Sequence, residues 1–291
     1  MKSIRAKLNF AFWLVIESVK LDFYLVKRGK GILLESSIRF IFKKYFLLIK
    51  HLFVPYKPGS KVRIDQNLLC YDSKYGVAGF QRILTTHGHL IRSLEVQNVN
   101  LIVDVGANVG YFSLMCRKIF PSCSVLAFEP VPEVFNLLSN NLGGFGSTQL
   151  FQIALGRHEG KEKMKVNQFN RAESKVDLDG DLEVAVSRLD SFEAQMQDLG
   201  VNGRVDILKI DVETFELEVL QGSIRTLAKT RYLFLEVTFS GNTRYTISSL
   251  LGKLSSTTFD FQLIGYRNFN GRSEGPTVAF EMFFKNSLYS E

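Results

Sequence analysis

The chain contains 291 residues, of which 46% are hydrophobic and 22% are charged, and its mean hydropathy is +0.04. This length and composition allow a large core, which excludes an intrinsically disordered protein and predicts one sizeable α/β domain with an extension. The three cysteines form no CxxC pair, so neither a disulfide framework nor a structural zinc site is predicted, and a reducing, cytoplasmic location is expected.

Positive charge is concentrated at the start of the chain. Residues 1–63 contain 14 Lys and Arg residues and three acidic residues, a net charge of +11, whereas the rest of the chain has a net charge of −4. Because this remainder is mildly acidic and contains no RNA-binding motif, no nucleic-acid partner is predicted. Residues 1–63 are predicted to form a basic amphipathic helical extension, and residues 64–291 are predicted to form the main domain.

The role of the extension has two interpretations. Its longest uncharged run, residues 8–16, is about half of the roughly 20 residues that a membrane-spanning helix needs. The helices of residues 1–50 either lie on an anionic membrane surface, as a peripheral contact at the inner face of a membrane, or cover a face of the main domain or of a second subunit. Aromatic side chains at helical spacing usually pack in a core, which favours the packing interpretation; no oligomeric state is predicted.

From residue 99 onward, short apolar runs alternate with longer segments of helical period, which is typical of βα units on a mostly parallel sheet. The predicted strands are residues 100–105, 123–129, 148–155, 205–212, 230–239, 259–266 and 277–285. The predicted helices are residues 111–120, residues 132–142, one helix that carries Leu217, Leu220, Ile224 and Leu227, and residues 247–256. The polar segment 161–187 is predicted to be a β excursion outside the core. We therefore expect five strands with intervening helices, followed by a terminal β pair.

The first predicted strand leads into a glycine-containing turn within LIVDVGANVGYFSLM, residues 101–115. Asp104 lies near the end of this strand, at the sheet edge where α/β proteins bind ligands. Gly106 and Gly110 allow a sharp turn and a close approach of a ligand to the backbone. The nicotinamide and flavin motif is GxGxxG, but Asn108 stands where its middle glycine would be and would crowd a pyrophosphate. A ligand with a cationic amino acid end, such as S-adenosylmethionine, is therefore favoured over a dinucleotide.

The second predicted strand ends in another acidic residue, Glu129, and Pro130 holds the turn that follows. A carboxylate in this place can accept hydrogen bonds from both hydroxyls of a ribose. Each feature is weak by itself. The glycine turn and the acidic strand end, in this order, together predict a site for S-adenosylmethionine.

These segments resemble the FkbM family of S-adenosylmethionine-dependent methyltransferases. The resemblance covers about residues 75–285 and rests on VDVGANVGYFSL (103–114), VLAFEPVPEVFNLLSNNL (125–142), RLDSF (188–192), DILKIDVETFELEVLQG (206–222) and LFLEV (233–237). It implies a Rossmann-like class I methyltransferase sheet, mostly parallel with the last strand antiparallel. It also implies O-methylation of a small-molecule or glycan acceptor, at a hydroxyl of a sugar, glycan or secondary metabolite.

The resemblance further implies roles for individual residues. Asp104, Gly106, Asn108 and Gly110 match the cofactor loop of the family, Glu129 matches its ribose ligand, and Asp211 matches the acidic end of the fourth strand beside the methyl donor. The family pattern commonly reads IDVEG, whereas this chain has Thr214 in place of that glycine. A β-branched residue narrows the allowed backbone and fills space near the cofactor, which affects the substrate scope more than the use of the cofactor.

Methyl transfer to a hydroxyl is helped by a group that removes the hydroxyl proton. The carboxylates of Asp211, Glu213 and Glu236 are expected to converge beyond the ends of the fourth and fifth strands. Asp211 or Glu213 is the expected general base; the alternative is that Asp211 helps to hold the cofactor while Glu213 stabilises the start of the next helix. His87 or His89 is a further candidate base, unless these residues have a surface or capping role. A divalent metal ion on the carboxylates is a weaker alternative and is not predicted.

Two other functions are compatible with the sequence. One is an NAD(P)-dependent Rossmann oxidoreductase. The other is a scaffold that binds a membrane or RNA through the basic extension and carries an inactive methyltransferase-like domain. The presence of both Asp104 and Glu129 argues against a lost cofactor site.

Overall fold

The computed structural model of the protein describes residues 59–64, 67–71, 83, 87–88, 90–92, 98–166, 174–239, 245–270 and 278–289. The chain divides into two compact units, residues 1–96 and residues 97–291. The first unit contains an antiparallel hairpin of β1 (Ser60–Ile64) and β2 (Asn67–Tyr71). The helices predicted for residues 1–50 lie outside the described residues, so the extension and its boundary at residue 63 stay predictions.

The second unit is built on two β-sheets. In chain order its described strands are β3 (Leu101–Val105), β4 (Ser124–Phe128), β5 (Thr148–Phe151), β6 (Ala154–Leu155), β7 (Gly160–Lys165), β8 (Lys175–Val176), β9 (Leu182–Ser187), β10 (Val205–Ile210), β11 (Thr230–Phe239), β12 (Phe261–Asn270) and β13 (Val278–Asn286). Seven of them form the central sheet, in the order β12-β13-β11-β10-β3-β4-β5. Neighbouring strands run parallel from β11 to β5, whereas β13 runs antiparallel to both β11 and β12. The prediction of a mostly parallel sheet with an antiparallel last strand is therefore confirmed.

Helices connect these strands. In chain order the second unit contains α1 (Tyr111–Ile119), α2 (Pro132–Leu142), α3 (Glu193–Leu199), α4 (Glu216–Gln221), α5 (Ile224–Ala228) and α6 (Ile247–Leu251), with a 3-10 turn at Leu189–Phe192 before α3. Both α1 and α2 match their predicted ranges to within one residue, and Pro132 occupies the first turn of α2, where its missing N–H is tolerated. In the described parts of the chain, no helix is long and apolar enough to cross a membrane.

The strand predicted for residues 148–155 is wrong as a single element. It divides into β5, which pairs with β4, and β6, which pairs with β9 in a separate sheet of order β6-β9-β7-β8. A mainly apolar segment of eight residues fits one long strand or two short ones equally well, because its pattern does not say which neighbour supplies the hydrogen bonds. In the described residues of the segment 161–187, the second sheet confirms the predicted β excursion.

The single helix predicted around residues 217–227 is also wrong, since α4 and α5 are separate. The chain breaks at Gly222, where a Cβ atom would overlap the backbone oxygen of Gly156. Ile224, predicted to lie on the buried face, is 42% exposed at the start of α5. A three- and four-residue spacing of apolar side chains is equally consistent with one helix or two. The close approach of the Gly222 backbone to that of Gly156 marks where α4 ends and α5 begins.

Apolar side chains cover both faces of the central sheet. Every residue of β3 and β4 is buried, as expected for parallel strands that are covered on two sides. On one face Phe128 stacks on Phe151, with ring centroids 5.6 Å apart, and Phe192 packs edge-on against both. On the other face Phe112 of α1 packs edge-on against Phe234 of β11 at 5.7 Å. These contacts hold the ends of the central strands at fixed positions.

The strand order places a crevice beyond the carboxyl ends of β3 and β10. From β3 the chain proceeds outward to β4 and β5, and then returns to β10 and β11 on the opposite side. At such a topological switch point the connections leave the sheet in opposite directions, and the space between them is where open α/β sheets bind ligands. The residues that follow β3 and β10 are therefore expected to line the ligand site.

Candidate active site

The turn after β3 has a left-handed backbone at three positions. The φ angles are +71° at Gly106, +53° at Asn108 and +86° at Gly110. Asparagine tolerates this region better than most residues, which explains why it replaces a glycine here. A Cβ atom on Gly106 would overlap the backbone oxygen of Asp211, and one on Gly110 would lie 2.8 Å from a methyl group of Leu138. The two glycines are thus required by neighbouring protein atoms, a reason that the sequence did not reveal.

Backbone amides tie this turn to the end of β4. The amides of Gly106 and Ala107 donate to the Phe128 carbonyl oxygen, over 3.1 and 2.9 Å. The amide of Asn108 donates to Oε2 of Glu129 over 3.0 Å. The predicted glycine turn and the predicted acidic strand end therefore belong to one hydrogen-bonded unit at the crevice.

Glu129 is a carboxyl group with little access to water. It is 7% exposed, and its Oε1 accepts a hydrogen bond from the amide of Val131 over 2.9 Å. Burial raises the pKa of Glu129 to about 7, and the two amide hydrogen bonds oppose this rise. Because a carboxylate has about four acceptor positions and only one amide reaches each oxygen, Glu129 retains capacity for hydroxyl donors. This environment fits the predicted ribose ligand, and the role itself stays a prediction.

Lys209 is the cation at the centre of the crevice. Its Nζ lies 3.1 Å from Oδ2 of Asp211 and 3.4 Å from Oδ1 of Asp104, and it donates to the Gly106 carbonyl oxygen over 3.1 Å. Burial lowers the pKa of Lys209, but the Asp211 and Asp104 carboxylates outweigh burial and raise it above its ordinary value. The sequence alone predicts no role for Lys209. The available signal was its position two residues before Asp211, on the same face of the strand.

Asp104 is completely buried, and its contacts are with protein groups. Its Oδ2 accepts a hydrogen bond from the Ser113 hydroxyl over 2.7 Å, and its Oδ1 faces Lys209. This carboxylate fixes the lysine and the start of α1. Its predicted role toward a cofactor stays a prediction.

The carboxylates of Asp211, Glu213 and Glu236 converge, as expected from the topology. One oxygen of each lies within 4.8 Å of the others, and all three residues are partly exposed. Such oxygens could hold a hard divalent cation, but the Lys209 ammonium group beside Asp211 reduces their attraction for one. The arrangement is suited to accepting a proton from a hydroxyl group.

The turn that carries Glu213 has an unusual backbone. Glu213 and Thr214 are consecutive non-glycine residues with φ of +49° and +80°. The amide of Thr214 donates to Oε1 of Glu216 over 3.0 Å, and the hydroxyl of Tyr245 donates to Oε2 of the same carboxyl. Burial raises the pKa of Glu216 to about 8. Sequence reasoning missed Glu216 and Tyr245; the signal for Glu216 was an acidic residue on the same helical face as Val219 and Leu220.

The histidines predicted as candidate bases lie in the first unit. His87 is 7% exposed there, and His89 lies outside the described residues. The structure does not relate His87 to the carboxylates of the second unit. Its role as a base stays a prediction.

Comparison with known proteins identifies the family. The sequence profile described as "Methyltransferase FkbM domain" matches residues 104–261. Methyltransferase 1 of Beauveria bassiana is 32% identical in an alignment of length 147, and the match covers 42% of this chain and 58% of that protein. Methyltransferase sdnD of Sordaria araneosa is 30% identical in an alignment of length 176, and the match covers 49% of this chain and 67% of that protein. The 2-O-methyltransferase NoeI of Sinorhizobium fredii is 24% identical in an alignment of length 199, and the match covers 62% of this chain and 79% of that protein.

The matched segment of the profile begins at Asp104 and includes the glycine turn, Glu129 and the three converging carboxylates. It spans more than half of the chain. The chain covers only 58% of the length of Methyltransferase 1 of Beauveria bassiana, so that comparison concerns the methyltransferase domain and not the whole protein. The chain belongs to the FkbM family of methyltransferases.

Proposed function

We propose that the protein is an S-adenosylmethionine-dependent O-methyltransferase that acts on a hydroxyl group of a sugar, glycan or secondary metabolite. The observation that carries the proposal is the juxtaposition, at one switch point, of a glycine turn bonded to Glu129 with three converging carboxylates. Membership of the FkbM family supports methyl transfer, and the name of NoeI, a 2-O-methyltransferase, supports a hydroxyl acceptor.

The cofactor is proposed to bind along the turn from Gly106 to Gly110, beside Asp104 and Asp211. When bound, S-adenosylmethionine supplies the methyl group. Glu129 accepts hydrogen bonds from the ribose hydroxyls, a role that suits a buried carboxyl with spare acceptor positions. The carboxylates of Asp104 and Asp211 provide negative charge near a cationic ligand, and Lys209 keeps them in place.

Asp211 and Glu213 are the proposed bases for the acceptor hydroxyl. Loss of Asp211 would also remove one of the two ion pairs of Lys209, whereas loss of Glu213 leaves both intact. Substitution of Asp211 is therefore expected to weaken cofactor binding as well as turnover. Substitution of Glu213 is expected to lower turnover alone, and a positioned base typically contributes about 100- to 10,000-fold to the rate.

The first test measures ligand-induced thermal stabilisation. S-adenosylhomocysteine should raise the melting temperature and NAD(P)H should not, since a ligand at 100 times its Kd stabilises the folded state by about 2.7 kcal/mol. Glu129→Gln should weaken this stabilisation, while the exposed carboxyl of Glu183 provides a matched control, Glu183→Gln. Stabilisation by NAD(P)H alone would favour the oxidoreductase, and no response to either ligand would favour the scaffold.

The second test measures transfer of a labelled methyl group from S-adenosylmethionine to a panel of glycosides, polyols and phenols. We expect Glu213→Gln to lower turnover about 100-fold or more and to leave binding of S-adenosylhomocysteine unchanged. A loss in His87→Ala with none in Glu213→Gln or Asp211→Asn would assign the base to the histidine. Full turnover after treatment with a chelator would exclude a required metal ion.

A further inference from the structure

Glu216 is a carboxyl that the proposed reaction does not use. It is completely buried at the start of α4, and both of its oxygens have partners. Oε1 accepts from the amide of Thr214 over 3.0 Å, and Oε2 accepts from the hydroxyl of Tyr245. We call this set of contacts, from Thr214 through Glu216 to Tyr245, the buried clamp.

One end of the buried clamp holds a backbone that this sequence disfavours. Thr214 has φ of +80°, and the residue before it, Glu213, has φ of +49°. A left-handed conformation is costly for a β-branched residue and persists only where the surrounding structure imposes it. The Thr214 amide donates to Oε1 of Glu216 over 3.0 Å, and this hydrogen bond can help to hold the turn in that conformation.

The other end of the buried clamp is attached to a fixed element. Tyr245 directly precedes Thr246, the N-cap of α6, whose side chain and that of Ser249 form a capping box. Leu250 of α6 is completely buried in the main core. The Tyr245 hydroxyl therefore connects the turn after β10 to a helix that is anchored in the core.

The turn held in this way carries the reacting carboxylates. Glu213 lies directly before Thr214, and one oxygen of Glu213 lies within 4.8 Å of an oxygen of Asp211 and one of Glu236. We infer that Glu216 and Tyr245 are positioning residues, which hold the Glu213–Thr214 turn so that the Glu213 carboxylate stays beside Asp211 and Glu236 during methyl transfer. This inference rests on the proposed function.

A purely structural role makes a different prediction. A buried carboxyl that only capped α4 would affect the melting temperature and leave turnover intact well below it. A positioning role affects turnover at such temperatures without changing cofactor binding, because it acts through the orientation of Glu213. A fall in kcat well below the melting temperature, with an unchanged KM for S-adenosylmethionine, therefore indicates the positioning role.

The test compares hydroxyl and carboxyl substitutions on the acceptor that gives the highest rate in the panel above. Tyr245→Phe should lower kcat at least tenfold, with the KM for S-adenosylmethionine changed less than twofold. Tyr266→Phe, which removes the hydroxyl of a 70% exposed tyrosine, is the matched control and should match the unsubstituted protein. Glu216→Gln keeps an acceptor for the Thr214 amide and a donor for the Tyr245 hydroxyl, so its kcat should fall less than threefold. The kcat of Glu216→Ala should fall at least tenfold.

A rescue experiment links the clamp to the backbone of Thr214. Glycine adopts a φ of +80° without steric cost, so the turn depends less on the clamp when Thr214 is replaced by glycine. Thr214→Gly in the Tyr245→Phe background should therefore restore kcat at least threefold. The absence of rescue, or a Tyr245→Phe protein with unchanged kcat, would overturn the inference.

Amide exchange measured by NMR provides a readout that needs no acceptor. Glu216→Ala should increase the exchange rate of the Thr214 amide at least tenfold, and an unchanged rate would contradict the clamp. Failure of the proposed function looks different, since the unsubstituted protein would then neither bind S-adenosylhomocysteine nor transfer a methyl group. If it does both and Tyr245→Phe retains full kcat, the proposed function stands and the inference falls.

Discussion

Thr214 has a side chain at a backbone angle that favours glycine. Its φ of +80° explains why the family pattern has glycine at this position and why the substitution matters to the backbone. The sequence predicts that Thr214 narrows the allowed backbone and fills space near the cofactor. The structure shows this restricted residue at a left-handed angle, which costs on the order of 1 to 3 kcal/mol for a residue held in a sparsely populated region.

We expect Thr214→Gly to raise the free energy of unfolding by about 1 kcal/mol, because relief of strain exceeds the roughly 0.5 to 1 kcal/mol that glycine costs through its freedom in the unfolded chain. Denaturant unfolding of the two proteins measures this difference. Thr230→Gly is the control, because Thr230 lies in β11 outside the left-handed region and its hydroxyl donates to the Thr226 carbonyl. That control should lose stability. A similar loss in Thr214→Gly would show that the turn is not strained.

The ion pairs of Lys209 depend on which strand lies beside β10 in the sheet. The spacing of Lys209 and Asp211 in the sequence indicates a shared face, but their relation to Asp104 requires the pairing of β10 with β3, in which Lys209 is opposite Asp104. This register brings one cation between two carboxylates. The pairing partner of a strand is not encoded in the alternation of its own residues.

At the scale of elements, the division between α4 and α5 is stabilised by a residue from a preceding segment. The carboxylate of Asp190 accepts hydrogen bonds from the amides of Arg225 and Thr226 over 3.1 and 2.9 Å, and from the Thr226 hydroxyl over 2.9 Å. A carboxylate at this place satisfies amides that lack partners at the start of α5. The RLDSF motif of residues 188–192 thus has a structural role in this chain.

We expect Asp190→Ala to lower the free energy of unfolding by about 2 kcal/mol, because it leaves the amides of Arg225 and Thr226 without their acceptor. Urea unfolding followed by circular dichroism measures the change. The exposed Asp181 supplies the comparison, since Asp181→Ala should change stability by less than about 0.5 kcal/mol. Equal effects of the two substitutions would rule out a capping role for Asp190.

The two predicted elements that each divide into two in the structure do so for one physical reason. Local pattern predicts one strand for the mainly apolar residues 148–155. The spacing of apolar side chains in residues 217–227 likewise predicts one helix. In the structure β6 takes its hydrogen bonds from β9, and Gly222 lies against the backbone of Gly156. Both breaks result from contacts with distant segments, which outweigh local periodicity.

At the scale of the whole molecule, two buried carboxyls determine part of the response to pH. Burial raises the pKa of Glu129 to about 7 and that of Glu216 to about 8, from ordinary values of 4.5. Between these ordinary values and pH 8 the folded protein therefore binds more protons than the unfolded chain. The stability they contribute is complete below about pH 4.5 and is lost as the pH rises through 7 and 8.

We expect Glu216→Gln to remove the larger of these two contributions, because an amide imitates the protonated carboxyl and does not ionise. The variant and the unsubstituted protein should differ little in unfolding free energy at pH 5, and the variant should be the more stable of the two at pH 8.5 by a few kcal/mol. Denaturant unfolding across this range measures the difference. A difference that stays constant with pH would mean that Glu216 is already ionised at pH 5.

The sequence by itself determined the alternation of strands and helices, the glycine turn after β3, the acidic ends of the central strands and the resemblance to the FkbM family. These features depend on residues that are neighbours along the chain, at spacings of two to four residues. It also predicted that Asp211, Glu213 and Glu236 lie at one end of the sheet, because parallel neighbours run in the same direction; Glu236 itself lies within β11, directly after its last residue paired with β10.

Only the tertiary structure decided how these groups are bonded. Lys209 and Asp104 are 105 positions apart, Tyr245 and Glu216 are 29 apart, and Glu129 meets Asn108 across 21 positions. The partners in such contacts are selected by strand register and helix packing over the whole molecule, and no local pattern specifies them. The arrangement of charges around the crevice and the buried clamp are therefore properties of the fold, although the residues that form them are visible in the sequence.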